Sequence, residues 1–572
     1  MSSFYDKSSL VLIPSGTKTS KVYSQKPTNG DGDFDFTRST AATRVNADGN
    51  IEKEKSNLLL QSNQFDTTWI TPDSTITGGQ SGYDGTNNAW LLTATNAFHR
   101  VVQSVSQSGV KRFSVYAKAN TNDYLLLGSV EGAHYYATFN LATGAVDSNN
   151  INAISPSIEN VGNGWYRCSA TWVGTTTDVR IASQTTGGQS GWASTTSGSI
   201  YIQDAQLNQG LIAQEVITTT TTALYGGITD NVPRLDYTDS SCPALLLEPQ
   251  RFNAIDSSEY AGAWSAIDSN ITKTDNATTS PEGVNNAVKL EGLTGSASNQ
   301  IVNFGTTLLD GVNVVGKTYT ASVYIKPVNP SDVGDDIYLS IQRSNGDYEG
   351  LNVTFEIDSA DWKRYDLTYT FTGAGAGDQV GAVLKILRNS TTIDDIYIWG
   401  AQLEEGSHPT SYIPTYGTSV TRSNDETDVT GLQSKGILSS TEGTMFFHIT
   451  DIQGTAVVFN AQTANNLSYA LRFVIRDIGF TIYQRVNNVQ TTIRANNSLA
   501  LSEWKIAMSW NGTNLITSLN GTSYIDTIDA SISSQLDKIA RVNPQAISVT
   551  TNQILVFPTQ LTEAELNDLT TI

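Results

Sequence analysis

The sequence predicts an all-β protein made of tandem β-sandwich (jelly-roll) domains behind an extended N-terminal arm. Apolar residues occupy every second position of segments such as RFSVYAKA (residues 112–119), which is typical of a strand packed on one face. Such segments are separated by Gly and Asn turns, and no helical pattern longer than a turn or two interrupts them, which favours a sandwich. The segment IYIQDAQL (residues 200–207) returns as IYIWGAQL (residues 396–403), 196 positions later (396 − 200), which indicates a duplicated domain.

Residues 1–56 are rich in turn-forming residues, as in NGDGDFDF and NADGN. They contain few long apolar segments, so they cannot bury a core of their own. We expect an extended anchoring arm that lies on the following domain or on a partner subunit. The alternative is a disordered tail.

The two repeats are predicted at residues 57–211 and 244–423, with a linker at residues 212–243. NNAWLLTAT in the first repeat is matched by NNAVKLEGL in the second, and both are typical of strands. The offset between matched segments drifts, which indicates that loops changed length while strands kept their residues.

Individual residues of the strands are matched in the same way. Ser114 is matched by Ser322, and Trp165 by Trp362.

The segments that open the two repeats are also expected to correspond. We match Arg44 with Arg234, and the apolar run at residues 58–60 with the run at residues 245–247.

Residues 424–572 are predicted to form a further strand-rich sandwich. The tripeptides WNG (residues 510–512) and LNG (residues 519–521) are hairpin turns between alternating strands. Thr562 is followed three residues later by Glu565, a capping box that predicts a helix at the C-terminal end.

Composition excludes several classes of partner. The net charge is −21 from 34 basic and 55 acidic residues, and no basic run is present, so we expect no nucleic acid and no anionic membrane as a partner. No segment approaches ~18 apolar residues, so membrane insertion is not expected. The first residues lack the ~7–15-residue apolar stretch of a secretory signal. Two cysteines, Cys168 and Cys242, cannot form a disulfide framework.

The repeat boundaries carry a recognisable motif. A closing pair of segments, GAQLE (residues 400–404) and YIPT (residues 412–415), lies at the end of the second repeat. An opening pair, PRLDY and ALLLEPQRF (within residues 233–252), lies where the second repeat begins. These segments resemble a repeat of bacteriophage virion proteins of the tail or fibre type, in which the first pair closes one carbohydrate-binding-module-like jelly roll and the second opens the next. The first copy departs from the motif, because Asp204 replaces the glycine. Residues 424–572 resemble a laminin-G or concanavalin-like sandwich.

The resemblance implies a structural protein of the virion, an appendage or decoration subunit of a tail or head, assembled in the host cytoplasm. It implies contacts of the N-terminal arm with other virion proteins of the capsid or tail, and host surface glycans as a further partner. A homotrimer is expected, with a monomer docked on the capsid as the alternative. The rival functions are a dedicated receptor-binding lectin and a polysaccharide depolymerase.

No catalytic site, metal site or cofactor is predicted, so we expect the protein not to be an enzyme. His99, His134, His408 and His448 lie in unrelated contexts without ligand spacing.

The segment FEIDSA (residues 355–360) is the nearest approach to a glycosidase signature. It offers Glu356 and Asp358, but Ala360 occupies the place of the second carboxylate that acid–base hydrolysis needs. We therefore expect Glu356 and Asp358 to be solvated residues of a strand.

Glycan binding is predicted at two polar loops. Trp192 lies in GGQSGWASTTSG, and Tyr83 and Asp84 lie in QSGYDGTNN, outside the strand patterns. An exposed aromatic ring beside amide and carboxylate groups suits sugar recognition. The alternative is that these side chains cap a sandwich core or contact another subunit.

Overall fold

The computed structural model of the chain describes residues 2–131, 133–147, 152–187, 195–266, 271–291, 300–304, 315–343, 350–372, 382–388, 395–453, 457–464, 467–476, 479–499, 501–541 and 548–571. It is an all-β molecule of tandem β-sandwiches, which confirms the predicted fold class. The strand pairs at the centre of each sandwich are antiparallel.

The N-terminal segment forms a short helix and seven short strands. They are α1 (Ser2–Lys7), β1 (Leu10–Leu12), β2 (Thr17–Lys18), β3 (Lys21–Val22), β4 (Phe34–Thr37), β5 (Arg44–Val45), β6 (Ile51–Glu52) and β7 (Lys55–Asn57).

The first repeat is a two-sheet sandwich with strand orders β15-β16-β11-β18-β9-β8 and β10-β17-β12-β13-β14. Alternate residues of both sheets meet in its core; Phe113 and Val115 of one sheet face the layer that includes Leu125 and Leu127 of the other. Its strands are β8 (Ser74–Gln80), β9 (Ala89–Ala94), β10 (Val101–Gln107), β11 (Val110–Ala119), β12 (Tyr124–Glu131), β13 (Ala133–Asn140), β14 (Ala145–Val146), β15 (Ile154–Gly162), β16 (Trp165–Val173), β17 (Thr176–Gln184) and β18 (Ser199–Gln209).

The second repeat follows the same plan as the first, with sheets ordered β24-β25-β32-β27-β30 and β23-β26-β31-β28-β29. Two 3₁₀ helices, Ala261–Ala263 and Pro330–Asp332, lie in this part of the chain. The strands are β19 (Leu224–Gly226), β20 (Arg234–Asp236), β21 (Ala244–Leu247), β22 (Arg251–Asn253), β23 (Ser265–Ala266), β24 (Thr272–Thr278), β25 (Ala287–Glu291), β26 (Gln300–Asn303), β27 (Thr318–Pro327), β28 (Asp336–Arg343), β29 (Gly350–Glu356), β30 (Lys363–Thr370), β31 (Ala382–Arg388) and β32 (Ile396–Glu405).

The C-terminal sandwich ends in the predicted helix α2 (Glu563–Thr570), and the capping box between Thr562 and Glu565 is present. A 3₁₀ helix covers Ser533–Gln535. The strands are β33 (Val420–Arg422), β34 (Glu426–Thr430), β35 (Glu442–Gln453), β36 (Val457–Gln462), β37 (Ala470–Arg476), β38 (Gly479–Val486), β39 (Val489–Asn496), β40 (Glu503–Asn511), β41 (Asn514–Leu519), β42 (Thr522–Thr527), β43 (Lys538–Arg541) and β44 (Ser548–Phe557).

The sheets of the C-terminal sandwich include strands from distant parts of the chain. One sheet runs β20-β21-β44-β35-β40-β41-β42, with β1 also paired to β44. The other runs β2-β3-β4-β34-β43-β36-β37-β38-β39. The N-terminal arm and the linker therefore supply strands to the last domain.

This arrangement corrects the expected place of the arm. It was predicted to lie on the following domain or on a partner subunit, but β1 and β4 are strands of the C-terminal sandwich. The physical reason is the burial of apolar side chains in these short strands: Leu10, Leu12, Phe34 and Phe36 are all fully buried in the core of that domain. Such strands need sheet edges as partners, and β44 and β34 provide them.

The hydrogen bonds of one asparagine side chain in each repeat show which residues of the two repeats correspond. Asn57 donates from Nδ2 to the carbonyls of Ala205 (3.1 Å) and Ile217 (2.7 Å). Asn253 makes the same pair of bonds to the carbonyls of residues 401 and 413, each 196 positions later (253 − 57). The duplication is therefore structural as well as sequential.

This correspondence shows that one predicted alignment is wrong. Residues 58–60 directly follow Asn57 and correspond to residues 254–256, not to residues 245–247. The run at 245–247 lies in β21, which pairs with β44 of the C-terminal sandwich. Leu59 and residues 245–247 are buried, and Leu58 and Leu60 are half-buried, so apolar composition alone does not distinguish the two runs.

The predicted strand alignment is confirmed. Ser114 pairs with Gln206 across the first repeat's sheet, and Ser322 pairs with Gln402 in the second.

Candidate functional site

A buried ionic cluster lies where the arm, the linker, the second repeat and the C-terminal sandwich meet. We call it the junction cluster; it consists of Arg38, Arg234, Glu248, Arg422 and Asp425. None of these side chains is more than 3% exposed. The segments that supply them are far apart in sequence, so the cluster joins regions that local structure alone would leave separate.

Each charged side chain of the junction cluster is paired with at least one side chain of opposite charge. Arg38 bonds to Asp425 at 3.1 Å, and Arg234 bonds to Glu248 at 2.6 Å and also to Asp425. Arg422 bonds to Glu248 and donates to the carbonyl of Pro249 at 2.7 Å.

The two carboxylates of the cluster also accept bonds from the backbone. Ser411 donates to Glu248 from its amide (2.7 Å) and its hydroxyl (2.6 Å), and the amide of Glu248 donates to Asp425 at 2.8 Å. A buried charge is tolerated only when it is paired and hydrogen-bonded in this way.

The surroundings shift the pKa of these carboxyl groups downward. Burial alone would raise the pKa of Glu248, but Arg422, Arg234 and the bonds from Ser411 outweigh it, so the pKa lies well below its usual value. The pKa of Asp425 is lowered for the same reason, by Arg234 and Arg38 against the cost of burial. Both groups are therefore ionised at neutral pH.

An open cleft of about 690 Å³ lies above the junction cluster, and we call it the junction cleft. Residues 43–51, residues 236–239, the second repeat and the C-terminal sandwich all line it. Three half-buried aromatic side chains, Tyr237, Tyr324 and Trp362, line it beside the fully buried Tyr412.

The rings of the junction cleft are fixed by their neighbours. Tyr324 packs edge-on against Trp399, with ring centroids 5.6 Å apart, and the guanidinium of Arg364 lies 5.4 Å from its centroid on a face. Trp362 donates from Nε1 to the carbonyl of Thr279 at 2.9 Å. These contacts hold apolar ring surface at the cleft without leaving the indole N–H unbonded.

Polar groups surround the rings. Asp361, Asp239 and Asp451 line the cleft, whereas Arg44 is paired with Glu52 at 2.9 Å. The side chain of Asp451 is exposed, yet partial desolvation and the nearby charges of Asp239, Glu248 and Asp236 raise its pKa. The lining is therefore acidic and offers mainly hydrogen-bond acceptors.

A second cleft of about 710 Å³ adjoins the first and shares Asp239 and Asp451 with it. His448 and Glu503 lie within hydrogen-bonding distance there, with Nε2 and Oε1 2.6 Å apart. Burial lowers the pKa of His448, and Glu503 opposes this shift only in part. The exposed Cys242 lies at the same cleft.

Two other histidines of the chain are packing residues. His99 is fully buried between the carbonyl of Thr195 (3.1 Å) and the hydroxyl of Ser183 (3.0 Å). His408 bonds to the hydroxyl of Ser548 at 3.1 Å, and burial lowers its pKa to about 4. The side chain of His134 lies outside the described side chains. In the described part of the chain, no group of three or more His, Cys, Asp or Glu side chains is placed to hold a metal ion.

Glu356 and Asp358 are solvated as predicted, but only Glu356 lies in a strand, at the end of β29. Glu356 and Asp358 are both exposed, and Asp358 bonds to the hydroxyl of Tyr365 at 3.1 Å and to Lys363.

The structure places Tyr83 and Asp84 together in a loop of the first repeat, away from the junction cleft. Tyr83 stacks on Tyr116, with ring centroids 3.8 Å apart and planes 7° apart, and its hydroxyl donates to Asp204 at 3.0 Å. Asp84 is exposed and accepts the hydroxyl of Thr86 at 2.7 Å. Partial burial would raise the pKa of Asp84, but the bonds from Thr86 outweigh it and lower the pKa. The third predicted residue, Trp192, lies outside the described residues.

Sequence reasoning did not find the junction cleft. In the sequence Trp362 is notable only as the counterpart of Trp165, and Tyr237 belongs to the PRLDY segment, which predicts a repeat boundary. The signal that could have found the cleft is the motif itself. Arg234 and Glu248, from the opening segment, meet Ser411 of the closing segment, so the motif marks the place where domains join.

No protein-family model and no curated protein sequence matches this chain. Among solved structures, the chain is similar to the binding domain of botulinum neurotoxin DC in complex with rat synaptotagmin II (14% identity, 26% of this chain and 40% of that chain, TM-score 0.22). It thus spans less than half of that structure.

Two further structures are similar to parts of this chain. One is the N-terminal CBM22-1-CBM22-2 tandem domain of Paenibacillus barcinonensis Xyn10C (11% identity, 61% of this chain and 96% of that chain, TM-score 0.21). The other is the CBM2 module of the evolved Dit of Lactobacillus casei BL23 phage J-1 (9% identity, 28% of this chain and 82% of that chain, TM-score 0.20). Because these TM-scores are low, we argue function from the residues of this chain.

The described residues contain no helix that is both long and apolar enough to cross a membrane.

Proposed function

We propose that this protein is a non-enzymatic structural subunit of a bacteriophage virion, an appendage or decoration protein, and that it binds host surface glycans in the junction cleft. The observation that carries glycan binding is the set of three half-buried rings, Tyr237, Tyr324 and Trp362, in one open cleft lined by carboxylates. Binding sites for small ligands commonly lie at domain interfaces and combine apolar surface with a few fixed polar groups.

The chemistry of the cleft suits a sugar. The C–H faces of a pyranose ring are apolar and pack against aromatic rings, while its hydroxyl groups donate to carboxylates. Trp362 and Tyr324 provide the rings, and Asp361 and Asp239 provide acceptors. Because Trp362 is held by Thr279 and Tyr324 by Trp399, little ordering of the protein is needed on binding.

Substitution of Trp362 tests the glycan site. We expect Trp362→Ala to weaken binding to a glycan identified on an array at least tenfold, because the ring platform is lost. Phe98→Ala is the matched control, since Phe98 is 61% exposed and belongs to the first repeat. Titration calorimetry measures both affinities. Equal affinities in the wild type and Trp362→Ala, or no binding of any host glycan, would refute the site.

The virion assignment is supported by the GAQLE…YIPT and PRLDY…ALLLEPQRF segments and is tested on particles. We expect mass spectrometry and electron cryomicroscopy of purified virions to find this chain as a stoichiometric subunit. Absence from purified virions refutes the assignment. Because β1 and β4 of the arm are paired within the chain, we expect the contacts with capsid or tail proteins to be made by other surfaces.

A dedicated receptor-binding lectin is the alternative, and the same cleft favours it. The two functions predict different adsorption by particles that lack the protein. A receptor-binding lectin is required for adsorption, so particles lacking it adsorb poorly, whereas loss of a decoration subunit leaves adsorption normal. Release of reducing sugars from host polysaccharide by the purified protein would contradict the non-enzymatic part of the proposal.

A further inference from the structure

The junction cleft and the second cleft meet at a set of three aspartates. Asp236, Asp239 and Asp451 line both clefts, which measure about 690 Å³ and 710 Å³. The side chains of Asp239 and Asp451 are exposed. A ligand that rests on Trp362 and fills the junction cleft therefore reaches these carboxylates.

The walls of the two clefts carry more carboxylates than cations. The carboxylates among the described lining residues are Asp236, Asp239, Glu248, Asp361, Asp451 and Glu503. No lysine is among those lining residues, and the arginines are Arg44 and Arg364. The walls are therefore negative unless other cations of the protein lie beside the carboxylates.

Both arginines are already bonded within the protein. Arg44 is paired with Glu52 at 2.9 Å. Arg364 donates to the carbonyl of Thr410 at 2.7 Å and to the hydroxyl of Ser322 at 2.9 Å. Neither arginine is recorded in an ion pair with a carboxylate of the cleft walls.

Three of the six carboxylates have a partner of their own in the protein. Glu248 belongs to the junction cluster, where arginines surround it. Asp361 lies 3.6 Å from the ammonium of Lys326, and Glu503 is bonded to His448 at 2.6 Å. These three groups are therefore not the ones that lack a cation.

Asp236, Asp239 and Asp451 have no ion-pair partner in the described part of the chain. Asp236 accepts two backbone amides, at 2.9 Å and 3.0 Å, and Asp451 accepts the side-chain amide of Gln453 at 3.2 Å. These donors are neutral, so the negative charges remain. Desolvation, and then the charges of Asp239, Glu248 and Asp236, raise the pKa of Asp451, which shows that the carboxylates act on one another.

The carboxylates do not converge on a single point. No three His, Cys, Asp or Glu side chains of the described residues are placed to hold one metal ion. The negative charge is instead spread along the clefts, beside the rings of Tyr237 and Trp362. Such walls are complementary to an organic ligand with separated positive charges and apolar faces.

This inference rests on the proposed glycan site and names the class of sugar. We propose that the two clefts bind an oligosaccharide of amino sugars whose amino groups are free rather than acetylated. Its ammonium groups pair with Asp239 and Asp451, while the C–H faces of its rings pack on Trp362 and Tyr237. An N-acetyl group removes the positive charge, and a uronic acid or phosphate group brings a negative charge beside the carboxylates, so both kinds of glycan bind more weakly.

Three β-1,4-linked hexamers that differ only in the group on the second carbon of each ring test the class of sugar: glucosamine, N-acetylglucosamine and glucose. Titration calorimetry measures their affinities for the full chain, at a pH at which the free amines are ammonium groups. We expect the glucosamine hexamer to bind at least tenfold more tightly than either neutral hexamer. Added salt should reduce this difference, because it screens charges in open clefts.

Two variants remove the charges without removing the rings. Asp451 has a φ of +49°, a conformation that asparagine tolerates, so Asp451→Asn should keep the fold. We expect Asp239→Asn and Asp451→Asn each to weaken binding of the glucosamine hexamer about three- to fivefold, and the double variant to remove most of the preference. Glu356→Gln is the matched control, because Glu356 is exposed and lines neither cleft, and it should leave the affinity within about twofold of the wild type.

Several outcomes would overturn the amino-sugar inference. They are equal affinities for the glucosamine and glucose hexamers, tighter binding of a uronic-acid oligomer, no binding of the glucosamine hexamer, or an equal effect of Glu356→Gln and Asp239→Asn. A lysine peptide of equal charge that binds as tightly as the glucosamine hexamer would also overturn it, because charge alone would then suffice. In each case, a neutral glycan that binds the wild type more tightly than Trp362→Ala would keep the proposed glycan site, whereas no binding of any glycan would refute both.

Discussion

Glu248 is the residue on which the junction of the domains depends most. Its carboxylate accepts bonds from Arg234, Arg422 and both polar groups of Ser411. Desolvation of a carboxylate costs several kcal/mol, and only a full set of partners offsets it. The cluster is therefore sensitive to the loss of one member more than to its replacement as a whole.

We expect Glu248→Gln to lower the free energy of unfolding by about 3–5 kcal/mol, because it leaves the buried guanidinium group of Arg422 without its paired carboxylate and Arg234 with Asp425 alone. Glu215→Gln is the control: Glu215 is 77% exposed and paired with Lys55, so its loss should cost no more than about 1 kcal/mol. Urea denaturation measures both. Similar small losses in the two variants would show that the junction cluster does not stabilise the fold.

At the scale of elements, the N-terminal strands belong to the domain at the opposite end of the sequence. β1 pairs with β44, from Leu10 opposite Val556 to Leu12 opposite Ile554. β21 pairs with an adjoining part of the same strand. β44 therefore has partners from the arm and the linker on one side, and β35 on the other.

This pairing predicts that a substitution near the N-terminus destabilises the C-terminal sandwich. Leu12 is fully buried in that domain's core, so Leu12→Ala should cost about 2–5 kcal/mol. Its neighbour Ile13 is 37% exposed, and Ile13→Ala should cost much less. Hydrogen exchange should show faster exchange in β44 and β35 for Leu12→Ala. Faster exchange confined to the N-terminal segment would contradict the shared core.

At the scale of the whole molecule, Glu54 lies between the two repeats, in a space lined also by Gln214 and Pro414. Desolvation, and then the charge of Asp230, raises its pKa to about 7. Because this pKa is raised above the unfolded value of about 4.3, the contribution of Glu54 to the free energy of unfolding falls as the pH rises between the two values. The junction carboxylates act in the opposite sense: their pKa values are lowered, so their contribution is present above about pH 4.3 and is lost as pH falls.

We therefore expect Glu54→Gln to stabilise the protein at pH 8 and to change its stability little at pH 4.5. At pH 8 the wild type carries a partly desolvated charge at Glu54, whereas at pH 4.5 that group is already protonated in the folded state. Chemical denaturation at both values measures the difference. An equal effect at the two pH values would show that Glu54 is not poised in this way.

The all-β class, the duplication and the C-terminal helix could all be predicted from the amino-acid sequence. Each of these depends on local or repeated patterns: alternation places one face of a strand in a core, and a capping box such as that of Thr562 and Glu565 acts within four residues. The sequence also matched Ser114 of the first repeat with Ser322 of the second, because matched strands keep their spacing.

The sheet that each short strand joins could not be predicted in this way and follows from packing between distant parts of the chain. The strands β1 and β21 are too short for their pattern to specify a partner, and their partner β44 lies hundreds of positions away. The candidate site depends on the same long-range pairing, since Trp362 and Tyr237 share a cleft only because Arg234 and Glu248 bring the linker against the second repeat and the C-terminal sandwich. Burial of charge and apolar surface between distant segments is a property of the packed chain, and no local pattern records it.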